Sequence, residues 1–498
     1  LRLDGITDEV STEGGTAPES AVPKGTVTSK SVASPPNRAH FTLAEVVAAT
    51  NGSLEQGFVT TEIESVSTDT RTITPGSLFV ALRGERFDGH NFLQQAHAQG
   101  AIAAVIEETT AIPADIPDEF ALIRVPDTTV AYGDLARAHR RRFDIPVIGI
   151  TGSYGKTTTR ALLTAALAPL AKQNISVLSS AGNFNNEIGV PQTLLQLDDN
   201  HVAAVIEMGM RGAGQIDYLA KVALPTVGVI TNVGPQHIEF FTGFEGVVHA
   251  KAELLGNLPP DGIAIIPDNQ EYSNLLADVA PCPVFNFGES AEANYSVQNI
   301  QTRSDGNISF DIRYGEEQVQ PVNLPLPGAH NALNAAAALA TAGQLGVPLD
   351  KAAQALTSVI VPGARMRIIK AGGLTIIDDS YNAGPDSMRA ALQTLRSYPG
   401  AGRRIAVLGA MKELGPWNEA EHRKLGELCR DLDEVFGVGE ETKVLLQAAG
   451  RDDDHYFTSA AEATQLRAAF RDDDVILIKG SRSVGLEIVV ESVVNTHE

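Results

Sequence analysis

The sequence predicts an α/β protein of three domains, on three observations. The chain has 498 residues, too many for one ordinary hydrophobic core. From about residue 143 onward, short β-branched runs alternate with Ala- and Leu-rich helical stretches, the pattern of a mostly parallel sheet with crossover helices. Several of these runs end in glycine-rich or polar segments, where open parallel sheets hold their ligands. The expected organisation is a disordered tail (1–38), a small N-terminal α/β unit (39–142), a central mostly parallel sheet of P-loop type (143–362) and a Rossmann-like C-terminal unit (363–498).

Composition narrows the class. Apolar content of 43% with 20% charged residues is globular. No apolar run reaches membrane-spanning length, so no membrane insertion is expected. The formal charge of −23 argues against nucleic-acid binding, so any anionic ligand must be held by local groups. Cys282 and Cys429 stand in no metal or redox spacing. They fit a reducing compartment, and the first residues lack a secretory pattern, so a cytoplasmic location is expected.

The tail is rich in Ser, Thr, Pro, Gly and Glu and is expected to be dispensable. Order should begin near Phe41, with Thr42 capping a helix. Residues 66–71, 75–82 and 88–92 then deliver polar groups at turns and strand ends. Ser67, Asp69, Arg71 and His90 either line a ligand site or make ordinary turn contacts, with Asp69 and Arg71 paired. Residues 101–106 read as a strand and 131–142 as a helix, with Arg140, Arg141 and Arg142 a solvated C-terminal cap.

The central unit opens on a buried strand at 147–150. It breaks at Gly152 and Gly155, with Ser153 and Tyr154 between them, and a helix starts at Lys156, Thr157 and Thr158. Backbone N–H groups of such a turn and the positive helix end converge on an anion. Lys156 can reach terminal phosphates and Thr157 a magnesium ion. The first glycine of a full-length P-loop would stand at position 150, where Ile150 is found, so the loop is a shortened variant.

Two further strands, 202–206 and 227–230, end at Glu207 and in a segment containing His237. Both are candidate metal ligands, against the alternatives of a solvated strand end and a structural histidine. Asn183, Asn185 and Asn186 suit a substrate-reading loop or a plain polar one. His330, Asn331 and Asn334 open an alanine-rich helix, where capping accounts for only one of them. In the C-terminal unit, strand ends carry Asp379, Tyr381 and Asn382, the segment 409–415, and Lys479 with Arg482. They offer a second wall for a nucleotide.

This ordered set resembles the Mur ligases, ATP-dependent amide-forming enzymes of peptidoglycan precursor synthesis. The resemblance covers about 41–490. It is carried by Thr-Gly-Ser-Tyr-Gly-Lys-Thr-Thr at 151–158, the 183–195 stretch, Glu207-Met-Gly, the 232–239 segment, His330-Asn331, Asp-Asp-Ser-Tyr-Asn-Ala at 378–383 and Lys479-Gly-Ser-Arg482. It implies ATP on Lys156 and its loop, and two magnesium sites: Thr157 with Glu207, and His237 with Glu207. Lys251 matches a lysine that the family carbamylates to support the second metal; the plainer alternative pairs it with Glu245 or Glu253. His330 and Asn331 would approach the adenine, and Arg365 and Asp379 the nucleotide. Ser67, Asp69, Arg71 and His90 would lie in the unit holding a UDP-sugar. Asn183, Asn185, Asn186, Tyr381, Asn382, Lys479 and Arg482 would meet substrate, and Lys156, Lys251 and His237 would be catalytic.

The Asp-Asp-Ser-Tyr-Asn-Ala form favours the branch that joins D-alanyl-D-alanine to UDP-N-acetylmuramoyl-tripeptide through an acyl phosphate, as a monomer. Alternatives are a sister Mur enzyme, a folylpolyglutamate synthetase-like ligase, or a nucleotide-driven switch. The sequence departs from the family at Tyr154, Gln215, Ala410 and the spacer Ala364.

Overall fold

The computed structural model describes residues 37–85, 87–171, 175–268, 271–315 and 318–497. Most of the expected tail lies outside them. Asn37 belongs to the folded chain: its amide donates to Val66 O at 2.6 Å and its carbonyl oxygen accepts from Val66 N at 3.1 Å. Helix Leu43–Thr50 follows Thr42, which makes a capping box with Glu45 as its sequence implied.

Three α/β units are built on three separate sheets. The first has the order Ser53–Gln56, Ala121–Val125, Ala101–Glu107, Ser77–Val80, Ser65–Ser67, parallel except for its first strand. Helix Thr128–Arg140 closes this unit, with Asp127 capping its start. Arg140 is not a solvated cap: it is 6% exposed and donates to the carbonyls of Phe143 and Ile145. The turn after the helix folds back over the guanidinium, which satisfies carbonyls that water would otherwise serve.

Among the described residues the central sheet has nine strands. Seven are mutually parallel, in the order Tyr295–Thr302, Val284–Gly288, Ile263–Pro267, Val227–Ile230, Val147–Thr151, His201–Glu207, Ser176–Ser179. The strand leading to the phosphate loop is buried along its whole length, as a run of β-branched residues requires. Register sets Ile150 beside Glu207 and Thr151 beside Ile230. Three strand ends therefore stand in one row. Beyond Val284–Gly288 the chain departs from simple alternation: Tyr295–Thr302, Ile308–Tyr314 and Gln318–Leu324 form an antiparallel meander. The middle strand alternates buried and partly exposed side chains, the period of a half-covered sheet.

The third sheet runs Arg367–Ala371, Leu374–Asp378, Val475–Lys479, Arg404–Gly409, Glu434–Val438, Tyr456–Phe457, parallel except at its first strand. Its register puts Asp378 opposite Ile478, and Leu408 opposite Lys479. The strand ends picked out by sequence are again neighbours. Among the described residues no helix is long and apolar enough to cross a membrane.

Candidate active site between the three sheets

The phosphate loop owes its shape to its two glycines. Gly152 has φ 153° and Gly155 φ 78°, and any side chain would also collide. A Cβ on Gly152 would lie 2.0 Å from Thr231 Oγ1, and one on Gly155 2.3 Å from Asn334 Oδ1. The neighbouring strand end holds the loop from behind. Asn232 Oδ1 accepts from Tyr154 N at 3.0 Å, while Thr231 Oγ1 and Asn232 Nδ2 donate to Tyr154 O at 2.6 and 2.9 Å. The Ser153 hydroxyl donates to Gly234 O at 2.8 Å and accepts from Gly234 N at 2.8 Å. Lys156 lies across the loop, its Nζ donating to Gly152 O at 2.6 Å and Ser153 O at 3.2 Å. Burial lowers its pKa, and the charge of Glu207 opposes that shift.

One residue on, Thr157 Oγ1 donates to Glu207 Oε2 at 2.9 Å, and Asn185 Nδ2 donates to Glu207 Oε1 at 3.0 Å. Glu207 is 2% exposed, and the Arg160 guanidinium lies 3.6 Å from the carboxylate. A hydroxyl and a carboxylate are hard oxygen donors, and magnesium is held by one or two carboxylates together with substrate phosphates and water. Among the described residues no three His, Cys, Asp or Glu converge as an all-protein metal cage. Thr157 and Glu207 thus fit magnesium carried with a nucleotide.

His237 sits beyond, in the left-handed region at φ 61°. Its Nδ1 meets the carboxylate of Glu413, whose other oxygen is 3.2 Å from Arg211 Nη2. Burial pushes the His237 pKa down against the pull of Glu413, which favours a neutral ring. Lys251 is 1% exposed, and burial, reinforced by the charge of Lys156, drives its pKa well below the ordinary value. Neither expected partner reaches it. Glu253 accepts from Gly214 N at 2.7 Å and Asp217 N at 2.9 Å, and Glu245 pairs with His249 at 3.6 Å.

A cavity of about 2040 Å³ opens over these groups, with walls from all three units. On the first wall Asp69 and Arg71 are ion-paired at 2.6 Å. The central unit contributes Ser153 to Thr158, Asn183, Asn185, Asn186, Glu207, His237, His330, Asn331 and Asn334. Asn331 Nδ2 donates to Pro327 O at 2.7 Å and Asn334 Nδ2 to Asn331 Oδ1 at 2.9 Å, so the two amides form a chain behind the phosphate loop. Burial, then Lys479, pushes the His330 pKa down to about 4. The third wall holds Arg365, Asp379, Tyr381, Asn382, Lys479 and Arg482. Lys479 Nζ donates to Asp379 Oδ2 at 2.5 Å and to Asn382 O at 2.8 Å, and the Arg365 guanidinium stacks 3.8 Å over the Tyr381 ring.

Family models match the chain in three blocks: the Mur ligase family catalytic domain over 62–140, the Mur ligase middle domain over 150–342 and the Mur ligase glutamate ligase domain over 364–482. The chain belongs to the Mur ligase family. It is 35% identical over 464 residues to the UDP-N-acetylmuramoyl-tripeptide–D-alanyl-D-alanine ligase of Bacillus subtilis, covering 91% of this chain and 98% of that protein. To the enzyme of the same name from Escherichia coli it is 37% identical over 458 residues, with the same coverage. Among solved structures, MurF from Acinetobacter baumannii superposes with a TM-score of 0.83 at 33% identity, covering 93% of this chain and all of that one. MurF from Thermotoga maritima, in complex with ADP, superposes at 0.76 and 28% identity over 86% and 97%.

Within this Mur ligase most residues selected from sequence converge on the cavity, and four do not line it: Gly152, Ser67, His90 and Lys251. Gly152 shapes the loop from beneath. The Ser67 hydroxyl donates to Asp69 O at 3.0 Å. Both ring nitrogens of His90 are engaged, Nδ1 with Asp88 at 2.6 Å and Nε2 accepting from Glu107 N at 3.0 Å. Turn contacts and ligand contacts need the same residue types, so spacing alone could not separate them. Sequence reasoning missed Arg160, Arg211 and Glu413. Arg160 was findable, since it stands three residues after Thr157 on the same helical face. Glu413 lies in the 409–415 strand-end segment, but nothing local marked it as the partner of His237.

Proposed function

We propose that this Mur ligase joins D-alanyl-D-alanine to UDP-N-acetylmuramoyl-tripeptide, with ATP converted to ADP and phosphate. The observation that carries the reading is the single cavity with walls from three units. A phosphate loop, a wall bearing Asp69 and Arg71, and a nucleotide-facing wall of Arg365, Asp379 and Lys479 all open onto it. The names of the relatives supply the substrates.

In the proposed reaction the tripeptide carboxylate attacks the γ-phosphorus of ATP, forming an acyl phosphate and releasing ADP. The amine of D-alanyl-D-alanine attacks the acyl carbon, expels phosphate and gives up a proton. Such transfer depends on positioning and charge neutralisation. Lys156 and the helix start face the phosphates, and Asn185 and Arg160 hold Glu207 in place. Magnesium, held by Thr157 and Glu207, supplies charge neutralisation to the phosphates. Docking of the third wall excludes water from the acyl phosphate.

A second metal would be held by His237 and Glu207, supported by Lys251 as a carbamate. Burial disfavours the ammonium form of Lys251; its amine would add carbon dioxide with loss of one proton, and the product would offer oxygen ligands where an ammonium would repel metal ions. The remaining assignments are His330 and Asn331 to adenine, Asn183, Asn186, Tyr381, Asn382 and Arg482 to substrate, and Ser67, Asp69, Arg71 and His90 to the UDP-sugar unit. Domain limits near 142 and 363, a monomer and a cytoplasmic location complete the proposal.

The test mixes purified protein with ATP, D-alanyl-D-alanine and either the lysine- or the diaminopimelate-containing UDP-tripeptide, and follows phosphate release. Release should require all three substrates. Full release with ATP alone would favour a nucleotide-driven switch.

A further inference from the structure

The 232–239 loop is gripped along its length by the C-terminal unit. A Cβ on Gly234 would fall 1.8 Å from Asp386 Oδ2, and one on Gly415 2.8 Å from Glu239 Cβ. Between these two close approaches, the Glu413 carboxylate reaches His237 Nδ1. Both residues of that pair occupy the left-handed region, His237 at φ 61° and Glu413 at φ 63°. Non-glycine residues seldom adopt it and keep it where their surroundings hold them. Glu413 is itself anchored, its second oxygen 3.2 Å from Arg211 Nη2. Among the described residues no hydrogen bond occupies His237 Nε2, and the ring lies on the cavity wall.

We propose that Glu413 is a positioning residue for His237: it accepts the Nδ1 proton and fixes the ring with its Nε2 lone pair available to a ligand. Because the C-terminal unit carries Glu413, the ring is set only when that unit is docked on the 232–239 loop. A carboxylate on the far nitrogen of a ligating histidine fixes its tautomer and orientation. The inference rests on the reading of His237 as a metal ligand, and it adds a condition: the second metal site is completed by domain docking. The phosphate loop carries no such dependence at its backbone, which is held by residues 231–234.

The experiment uses the full chain with ¹⁵N-labelled histidine. His237→Ala identifies the His237 signal among the 11 histidines. In the unsubstituted protein that ring should be a single Nδ1–H tautomer. Glu413→Ala should convert it to a mixture, and Glu413→Gln, whose amide oxygen accepts the same proton, should preserve it. Gly234→Ala should mix the tautomers with Glu413 intact, since the added methyl meets Asp386. Titration with Mn²⁺ alone gives the second arm. Glu413→Ala should weaken binding by roughly 10–100-fold, and should cost nothing further in a His237→Ala background. An unchanged His237 signal in Glu413→Ala, or additive losses in the double variant, would overturn the proposal. A wild-type signal in Gly234→Ala would overturn the dependence on docking. If His237→Ala leaves Mn²⁺ binding intact, the metal reading fails, and the tautomer arm still decides the role of Glu413.

Discussion

The phosphate loop and the 232–239 loop leave adjacent strands of the central sheet, with Thr151 beside Ile230 in register. They are completed in opposite ways. The phosphate loop takes its supports from within the central unit: Thr231 and Asn232 hold its backbone, and Asn334 fills the space beside Gly155. The 232–239 loop gives its inner face to the phosphate loop and its outer face to another unit, through Asp386, Glu413 and Gly415. One loop is supported by the unit that contains it; the other takes part of its support from a second unit. For a ligase with a water-sensitive acyl phosphate the division is useful. On the proposed role of Glu413, a nucleotide would bind to a finished cradle, while the His237 ring would be set as the C-terminal unit docks.

The largest expected effect tests the self-contained loop. Lys156→Ala should lower phosphate release by at least about 10²–10³-fold, the scale of losing one transition-state charge donor, with an unchanged melting temperature. Near-normal release would show that the loop works without its cation. Lys251→Ala should also lose turnover, and a short carboxylate such as acetate should partly restore it by filling the vacated oxygen position. No rescue, together with no carbamate signal from ¹³C-labelled carbon dioxide on the native protein, would remove the carbamate from the second site.

Magnesium titrations sharpen the comparison. Glu207→Gln should raise the magnesium requirement strongly and His237→Ala more weakly, because Glu207 is shared by both proposed sites. Equal and negligible shifts would place the metals elsewhere. A smaller effect is expected at His90. His90→Ala leaves the partly buried Glu107 N–H without its acceptor and should destabilise the fold by about 1 kcal/mol, measured by urea unfolding, with KM for every substrate unchanged. A raised KM for the UDP-tripeptide would instead make His90 a substrate contact. Smallest of all, removing residues 1–36 should leave turnover unaltered; the deletion must stop before Asn37, which is bonded to Val66.

Much of this protein was legible in its sequence, and the residues show why. A buried parallel strand, two glycines and a Lys-Thr-Thr helix start are contiguous, so local geometry alone prescribes a phosphate cradle. Strand ends at Glu207, Asp378 and Lys479 could be placed because parallel sheets align their carboxyl ends. The antiparallel meander from Tyr295 to Leu324 was not anticipated, since three half-covered strands interrupt a pattern read as continuous alternation.

What the sequence by itself determined, then, is whatever neighbouring residues decide together: the loops, the strands that aim them and the family they spell out. The tertiary structure alone decided which polar groups find partners. His237 and Glu413 are 176 residues apart, and no periodicity links them. Glu245 and Glu253 are drawn to groups other than Lys251, and Arg140 is buried because the chain turns back over it. The His237–Glu413 pairing depends on how two units pack, and packing is settled by the summed fit of whole surfaces rather than by any local run of residues.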